Sequence, residues 1–182
     1  AQGSPPSASI WGMTGRERLE RGLHRAGAIP DDGAPALFRD DFVYDEVLIR
    51  AVLAKPGVLL VAADGTAAAA HVAPGTAVGE GEAALRGGTG AGLRAIDPAT
   101  LASSYNQTLR KRAAPYLMRL GAMPAAAIER RMFDGAYKGV TDFVTKRVWP
   151  WPAFHVTRLC TRLGISPNLV TAISLLFVLA AM

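Results

Sequence analysis

The 182-residue chain contains one cysteine, Cys160. No disulfide framework can form within it, so cysteine usage does not place it outside the cytosol. Cys160 falls in an apolar helical pattern and reads as a packed thiol. His155, five residues away, is at the wrong spacing to share a helical face as its base. Lysine is scarce and fewer than a fifth of the residues are charged. Zinc-finger spacing, a long basic helix and an aromatic-interleaved basic strand are all absent, which removes the usual signs of nucleic-acid binding. His24, His71 and His155 are scattered and do not spell a metal site. The first seven residues have no basic start and no apolar core, so they do not form a signal peptide. An initiator Met is missing and Met182 ends the chain inside an apolar run. Both features lead us to expect a piece of a longer protein.

The charge that is present is unevenly placed. Residues 1–128 carry 13 basic and 12 acidic groups, whereas residues 129–182 carry seven and three. The positive excess therefore sits beside the most apolar stretch. A basic flank of that kind suits the anionic, cytoplasmic side of a membrane.

Residues 1–10 read as a flexible lead. Thr14 and Glu17 form a capping-box pattern before a helix over Gly15–Ala26, stopped by Gly27. A turn is expected at Pro30–Gly33. Asp40–Asp45 leads into a helix over Asp45–Ala54, with Val47, Leu48, Ala51 and Val52 as its apolar positions and Pro56-Gly57 as its breaker. Val58–Ala63 is an unbroken apolar run that predicts a strand buried on both faces. Asp64-Gly65 predicts a hairpin to a second strand over Thr66–Val72. Pro74–Gly92 is rich in glycine and alanine and reads as a loop. Its Gly87–Gly92 segment lacks the Gly-Lys-Ser/Thr ending and the preceding strand of a phosphate loop. Asp97 or Thr100 caps a helix expected to reach Pro115, with Arg110, Lys111 and Arg112 at its basic end. Pro124 opens another helix through Met132, and the domain boundary falls within 115–145.

Beyond Arg130 and Arg131, Trp149-Pro150-Trp151-Pro152 ends any arriving helix and offers two indoles suited to a bilayer interface. The alternative is a buried anchor in a soluble interface. Ala153–Leu163 is two-sided, with Phe154, Val156, Leu159, Cys160 and Leu163 against His155, Arg158 and Arg162. It suits a helix lying in a membrane surface, though a core-facing helix gives the same pattern. Gly164 ends it. Ser166 and Pro167 then cap a final helix whose last 14 residues, Leu169–Met182, hold no charge. A span needs about 20 such residues.

Lys138–Asp142 and Leu163–Thr171 together resemble the CDP-alcohol phosphatidyltransferase family. There, a juxtamembrane amphipathic helix precedes a Gly-x-(Ser/Thr)-Pro-Asn-x-(Val/Ile)-Thr segment that opens the first transmembrane helix. Gly164–Thr171 matches that segment throughout, and the resemblance covers about residues 129–182. It implies transfer of a phosphatidyl or substituted phosphate group from a CDP-alcohol to a small alcohol or sugar-alcohol phosphate, with release of CMP. It also implies Mg²⁺ or Mn²⁺ in the intact enzyme, held by Asp-x2-Asp-Gly-x2-Ala-Arg and Gly-x3-Asp-x3-Asp segments. Neither segment occurs here, and Asp134-Gly135-Ala136 lacks the upstream aspartate and the alanine–arginine ending. The chain alone is therefore expected to hold no catalytic residue and no metal. Pro167, Asn168 and Thr171 border the CDP site by resemblance; by local physics they are a helix cap.

More weakly, Ile10–Ala28 resembles the helix after the nucleotide-binding loop of sugar nucleotidyltransferases, and Val58–Gly65 their central strand. By that resemblance Asp64 corresponds to a metal-binding aspartate; by local physics it is an Asp-Gly turn. The expected fold class is an α/β front domain with a small sheet and flanking helices (residues 1–124). A linker with juxtamembrane amphipathic helices follows (125–165), then the start of a transmembrane helix (166–182). The expected setting is the inner membrane with the front domain cytoplasmic, in contact with membrane lipid. The acceptor alcohol and the oligomeric state stay open, a homodimer included. A soluble nucleotidyltransferase-like binding domain and a membrane-anchored scaffold without catalysis are the rival readings.

Overall fold

The computed structural model describes residues 9–28, 35–87, 92–102, 105–106, 111–112, 115–136 and 147–181. The chain divides into two compact units. One contains Thr14–Ala125, and the other joins Ser9–Met13 to Ala126–Met182. The expected turn at Pro30–Gly33 lies outside the described residues, as do residues 88–91 of the glycine-rich segment.

The first unit is mixed α/β. Helix α1 (Gly15–Arg25) starts on the expected capping box: Thr14 Oγ1 accepts the Glu17 N–H, and Glu17 reaches back to the Thr14 N–H. Gly27, at φ +81°, ends it in the left-handed conformation that glycine adopts without strain. Strands β1 (Ala36–Phe38) and β2 (Phe42–Tyr44) follow, then α2 (Glu46–Leu53), capped by Asp45. Strands β3 (Val58–Val61) and β4 (Ala67–His71) form the expected hairpin. Helix α3 (Val78–Leu85), β5 (Arg94–Ile96) and the short α4 (Pro98–Leu101) come next. Strands β6 (Tyr105–Asn106), β7 (Lys111–Arg112) and β8 (Leu117–Arg119) complete the unit.

The main sheet has the order β1-β4-β3-β5, with β3 and β5 parallel and the other pairs antiparallel. Separately, β2 pairs with β8 and β6 with β7. The inner strands are β4 and β3, and all five residues of β4 are buried. Its four alanines let the covering helices approach closely. At Gly81 of α3, a Cβ would lie 2.9 Å from Val72 Cγ1 and 3.0 Å from Leu37 Cδ1. Leu48 and Val52 of α2 and Leu60 of β3 fill the core beside Ala68 and Ala69. Buried Tyr44 closes the end of β1. Its hydroxyl lies 2.7 Å from Ala68 O and accepts the Arg39 N–H at 3.2 Å. Burial pushes its pKa up, so it stays neutral.

Several expectations are corrected here. The strand buried on both faces is β4. In β3 only alternate residues are fully buried, because one of its faces is less covered. Val47 points outward and Ile49 takes the core position. The Asp40–Asp45 lead-in contains strand β2, and β1 over Ala36–Phe38 is unexpected. The Pro74–Gly92 segment contains α3, where small residues suit close packing on β4 rather than a loop. The helix capped by Asp97 ends at Leu101: Ala102 is already extended, so Lys111 lies in a strand.

The second unit contains α5 (Ala125–Ala136), α6 (Pro150–Arg162) and α7 (Pro167–Ala180). Pro124 precedes α5 as expected. Pro150 and Pro152 lie at the opening of α6, where the first turn needs no proline N–H.

Candidate membrane-association surface

Helix α6 is fixed by what its inner side meets. Phe154 is 5% exposed and packs edge-on against Phe133 of α5, with ring centroids 5.4 Å apart. The Arg130 guanidinium lies 5.2 Å from the Phe154 ring centroid. One turn on, Arg158 Nε is 2.9 Å from Glu129 Oε2. Glu129 is only 6% exposed. The Arg158 Nε–H misses hydrogen-bond direction, so this contact is an ion pair held by charge. Arg158 therefore belongs to the inner side, not to the basic outer side expected from sequence. A buried carboxylate without a cation is costly, and that cost draws the arginine inward.

A tight turn completes this arrangement. Ile10 and Met13 exchange two backbone hydrogen bonds, of 2.9 and 3.1 Å. The two central residues, Trp11 (φ +51°) and Gly12 (φ +72°), both take positive φ, as in a type I′ turn. A bulky residue in that region carries strain of about 1–3 kcal/mol. The offset is visible. The Trp11 N–H donates to Glu129 Oε1 at 3.1 Å, and the indole packs against Phe133 and Phe154 with centroids 6.3 and 5.6 Å away. Glu129 thus serves the turn with one oxygen and α6 with the other.

The outer side of α6 follows from helix geometry. At about 100° per residue, Val156, Leu159 and Leu163 lie roughly 140–200° around from Phe154. All three are more than half exposed. Trp151, His155 and Arg162 flank this stripe on one side and are exposed as well. The Trp151 and His155 rings meet edge-on at 4.8 Å. Cys160 is a free, half-buried thiol.

Gly164, at φ +68°, turns the chain, and the Ile165 N–H returns to Cys160 O at 2.9 Å. Helix α7 then begins at a Ser166 cap whose Oγ accepts the Leu169 N–H at 3.3 Å, with Pro167 in the first turn. None of its 14 residues is buried. Phe177 is 72% exposed, and even the least exposed large side chains, Val170 and Ile173, stand at 42%. No single helix among the described residues is long and apolar enough to cross a membrane. α6 and α7 meet the length and composition requirement as a pair, bent by 119° at the break.

Of the residues expected to border a nucleotide, Pro167 and Thr171 are brought together: Thr171 Oγ1 donates to Pro167 O at 3.1 Å. Asn168 is exposed on the same first turn. Asp64 accepts the Thr66 N–H at 2.9 Å, which lowers its pKa and fits the turn reading. His71 Nδ1 lies 2.8 Å from Val52 O, inside the first unit. Among the described residues no three His, Cys, Asp or Glu side chains converge to hold a metal. Sequence reasoning missed Trp11, Glu129 and the inward role of Arg158. No signal in the α6 pattern marked that role, because Arg158 falls beside His155 and Arg162 around the helix. Comparisons with family models, with curated proteins and with solved structures gave no match for this chain.

Proposed function

We propose that the chain is the front portion of an integral membrane enzyme, seated in the bilayer through α6 and α7. The enzyme transfers a phosphatidyl or substituted phosphate group from a CDP-alcohol to an alcohol, with release of CMP. The observation that carries the membrane part is the outward apolar surface. The stripe of α6 points away from the side that packs on α5, and α7 buries no residue. A soluble domain with a docked terminal helix would bury one face of α7. The exposed ionisable groups of residues 147–181 are arginine and histidine, which suits an anionic headgroup layer.

The transfer chemistry rests on the resemblance of Gly164–Thr171. In that chemistry an alcohol oxygen attacks the β-phosphorus, and CMP leaves as the phosphoanhydride bond breaks. Mg²⁺ or Mn²⁺ would neutralise the diphosphate. The described residues provide no donor set for such an ion, so on this reading it is held by other residues of the intact enzyme. Pro167, Asn168 and Thr171 would line the donor site: Asn168 offers an amide, and the Thr171 hydroxyl, already donating to Pro167 O, can still accept. A membrane-anchored scaffold is the second reading. It is favoured by the Ser166 and Thr171 hydrogen bonds, which are sufficient as an ordinary helix start.

Vesicle flotation separates these readings. The protein is expected to float with vesicles of phosphatidylcholine and phosphatidylglycerol. Adding CDP-diacylglycerol should increase its retention, and Asn168→Ala should abolish only that increase. Flotation without any CDP-dependent increase leaves the scaffold. A protein that stays with the aqueous fraction sinks both readings.

A further inference from the structure

We infer that the Trp11 turn and the Glu129–Arg158 pair form a strap that sets the roll of α6 and so aims the Val156–Leu159–Leu163 stripe at lipid. This inference rests on the membrane reading above and adds its control element. Three observations carry it. Glu129 is buried and uses its two oxygens on different partners: the Trp11 N–H at 3.1 Å and Arg158 Nε at 2.9 Å. The Trp11 ring touches both helices, through Phe133 on α5 and Phe154 on α6. The turn itself stands at positive φ at both central residues, a conformation the chain keeps only where surrounding contacts enforce it.

The geometry makes roll the controlled variable. Phe154 and Arg158 are one turn apart on the inner side, and the stripe lies opposite them. If Arg158 loses its buried partner, its charge favours an aqueous position. The long side chain reaches water most readily when α6 rotates and carries Arg158 toward the headgroups. The stripe then leaves the apolar layer. A segment near the beginning of the chain thereby governs a lipid-facing surface about 145 residues further on. Trp11, Glu129 and Arg158 are positioning residues; the lipid contacts are made by the stripe.

The test is the immersion depth of a nitroxide on Val156→Cys, in the Cys160→Ser background. Power saturation is read with oxygen and with an aqueous nickel complex, on vesicles of equal parts phosphatidylcholine and phosphatidylglycerol. The parent protein should show an oxygen-accessible, lipid-immersed label. Glu129→Gln keeps an acceptor for the Trp11 N–H but removes the charge facing Arg158, and the label should become accessible to nickel. Adding Arg158→Met should restore immersion, because no unpaired charge then remains. A role confined to fold stability predicts instead a lower melting temperature for Glu129→Gln with the label still immersed. A second route leaves the ion pair untouched. Gly12→Val strains the turn and should also expose the label, whereas Gly12→Asn tolerates positive φ and should keep it immersed. If the parent label is not immersed, the membrane reading fails first. If the parent is immersed and Glu129→Gln leaves it so, or the double variant stays exposed, the strap is overturned.

Discussion

Phe154 and Leu159 sit five residues apart on α6 and should respond to truncation in opposite ways. Phe154 is 5% exposed and holds the aromatic contacts with Trp11 and Phe133. Phe154→Ala removes a buried ring and is expected to cost about 3–5 kcal/mol of folding stability. Leu159 is 56% exposed. Leu159→Ala should cost only about 1 kcal/mol of stability, the part of its apolar burial already made within the chain. It removes roughly three methylene equivalents, worth about 2.4 kcal/mol at full burial. With 56% of the residue still exposed in the chain, ~1.3 kcal/mol of that remains to be gained from lipid. The expected loss is about tenfold in vesicle partitioning. Thermal melts followed by circular dichroism give the first quantity, and a lipid titration of sedimented protein gives the second. If Leu159→Ala lowers the melting temperature as much as Phe154→Ala does, the stripe is packed against protein and the outward reading is wrong. If it leaves partitioning unchanged, lipid does not contact that face.

Leu176→Arg in α7 should cost about 2.5–3.5 kcal/mol of insertion if that helix enters the hydrocarbon, read as loss of carbonate-resistant membrane association. In the first unit, Leu48→Ala opens a cavity beside Val52 and Ala69 and should cost about 2–5 kcal/mol in denaturant titration. Gly15→Ala should destabilise despite alanine's higher helix propensity. The new Cβ would run into Asp40 O and come within 2.7 Å of Leu120 Cδ1, an overpacking expected to cost about 1–3 kcal/mol. Asp41 supplies a pH test. Burial would raise its pKa, but hydrogen bonds from Arg39 and the charges of Arg39 and Arg119 outweigh that and hold it below 3.8. A lowered folded-state pKa means stability that is present above the unfolded value and lost as pH falls through the folded one. The stability deficit of Asp41→Asn should therefore be largest near neutrality and shrink below about pH 4.

The elements that declared themselves in sequence were those whose signals are local. The Thr14–Glu17 box, the Asp64-Gly65 hairpin and the Ser166-Pro167 start each depend on residues within four positions of one another. Strands β1 and β2 did not declare themselves, because three-residue strands are too short to show alternation. Helix α3 hid behind its composition: glycine and alanine lower the local helix signal, but they are what contact with an all-alanine stretch of β4 requires. At the candidate surface, the apolar content of α6 was legible and its direction was not. Which side of a two-sided helix faces protein depends on a partner distant in sequence. Here the partners are Glu129 and Phe133, more than twenty residues earlier.

That direction also decides how Arg158 should be understood. By composition it joins His155 and Arg162 as part of a basic side, and a helix with such a side looks as if it rests on anionic lipid through charge. Once Arg158 is assigned to Glu129, the outer side of α6 depends chiefly on apolar contact, with Arg162 and His155 at its border. The two accounts differ in salt dependence. Attraction through exposed cations is screened within about 8–10 Å at ordinary ionic strength, whereas burial of Val156, Leu159 and Leu163 is not weakened by salt. Vesicle association led by the stripe should persist when salt is raised, with only the contribution of Arg162 and its neighbours lost. Arg162→Gln should then reduce binding at low salt and have little effect at high salt, while Leu159→Ala reduces it at both. Complete release by salt would return the surface to an electrostatic one and remove the reason for aiming the stripe outward.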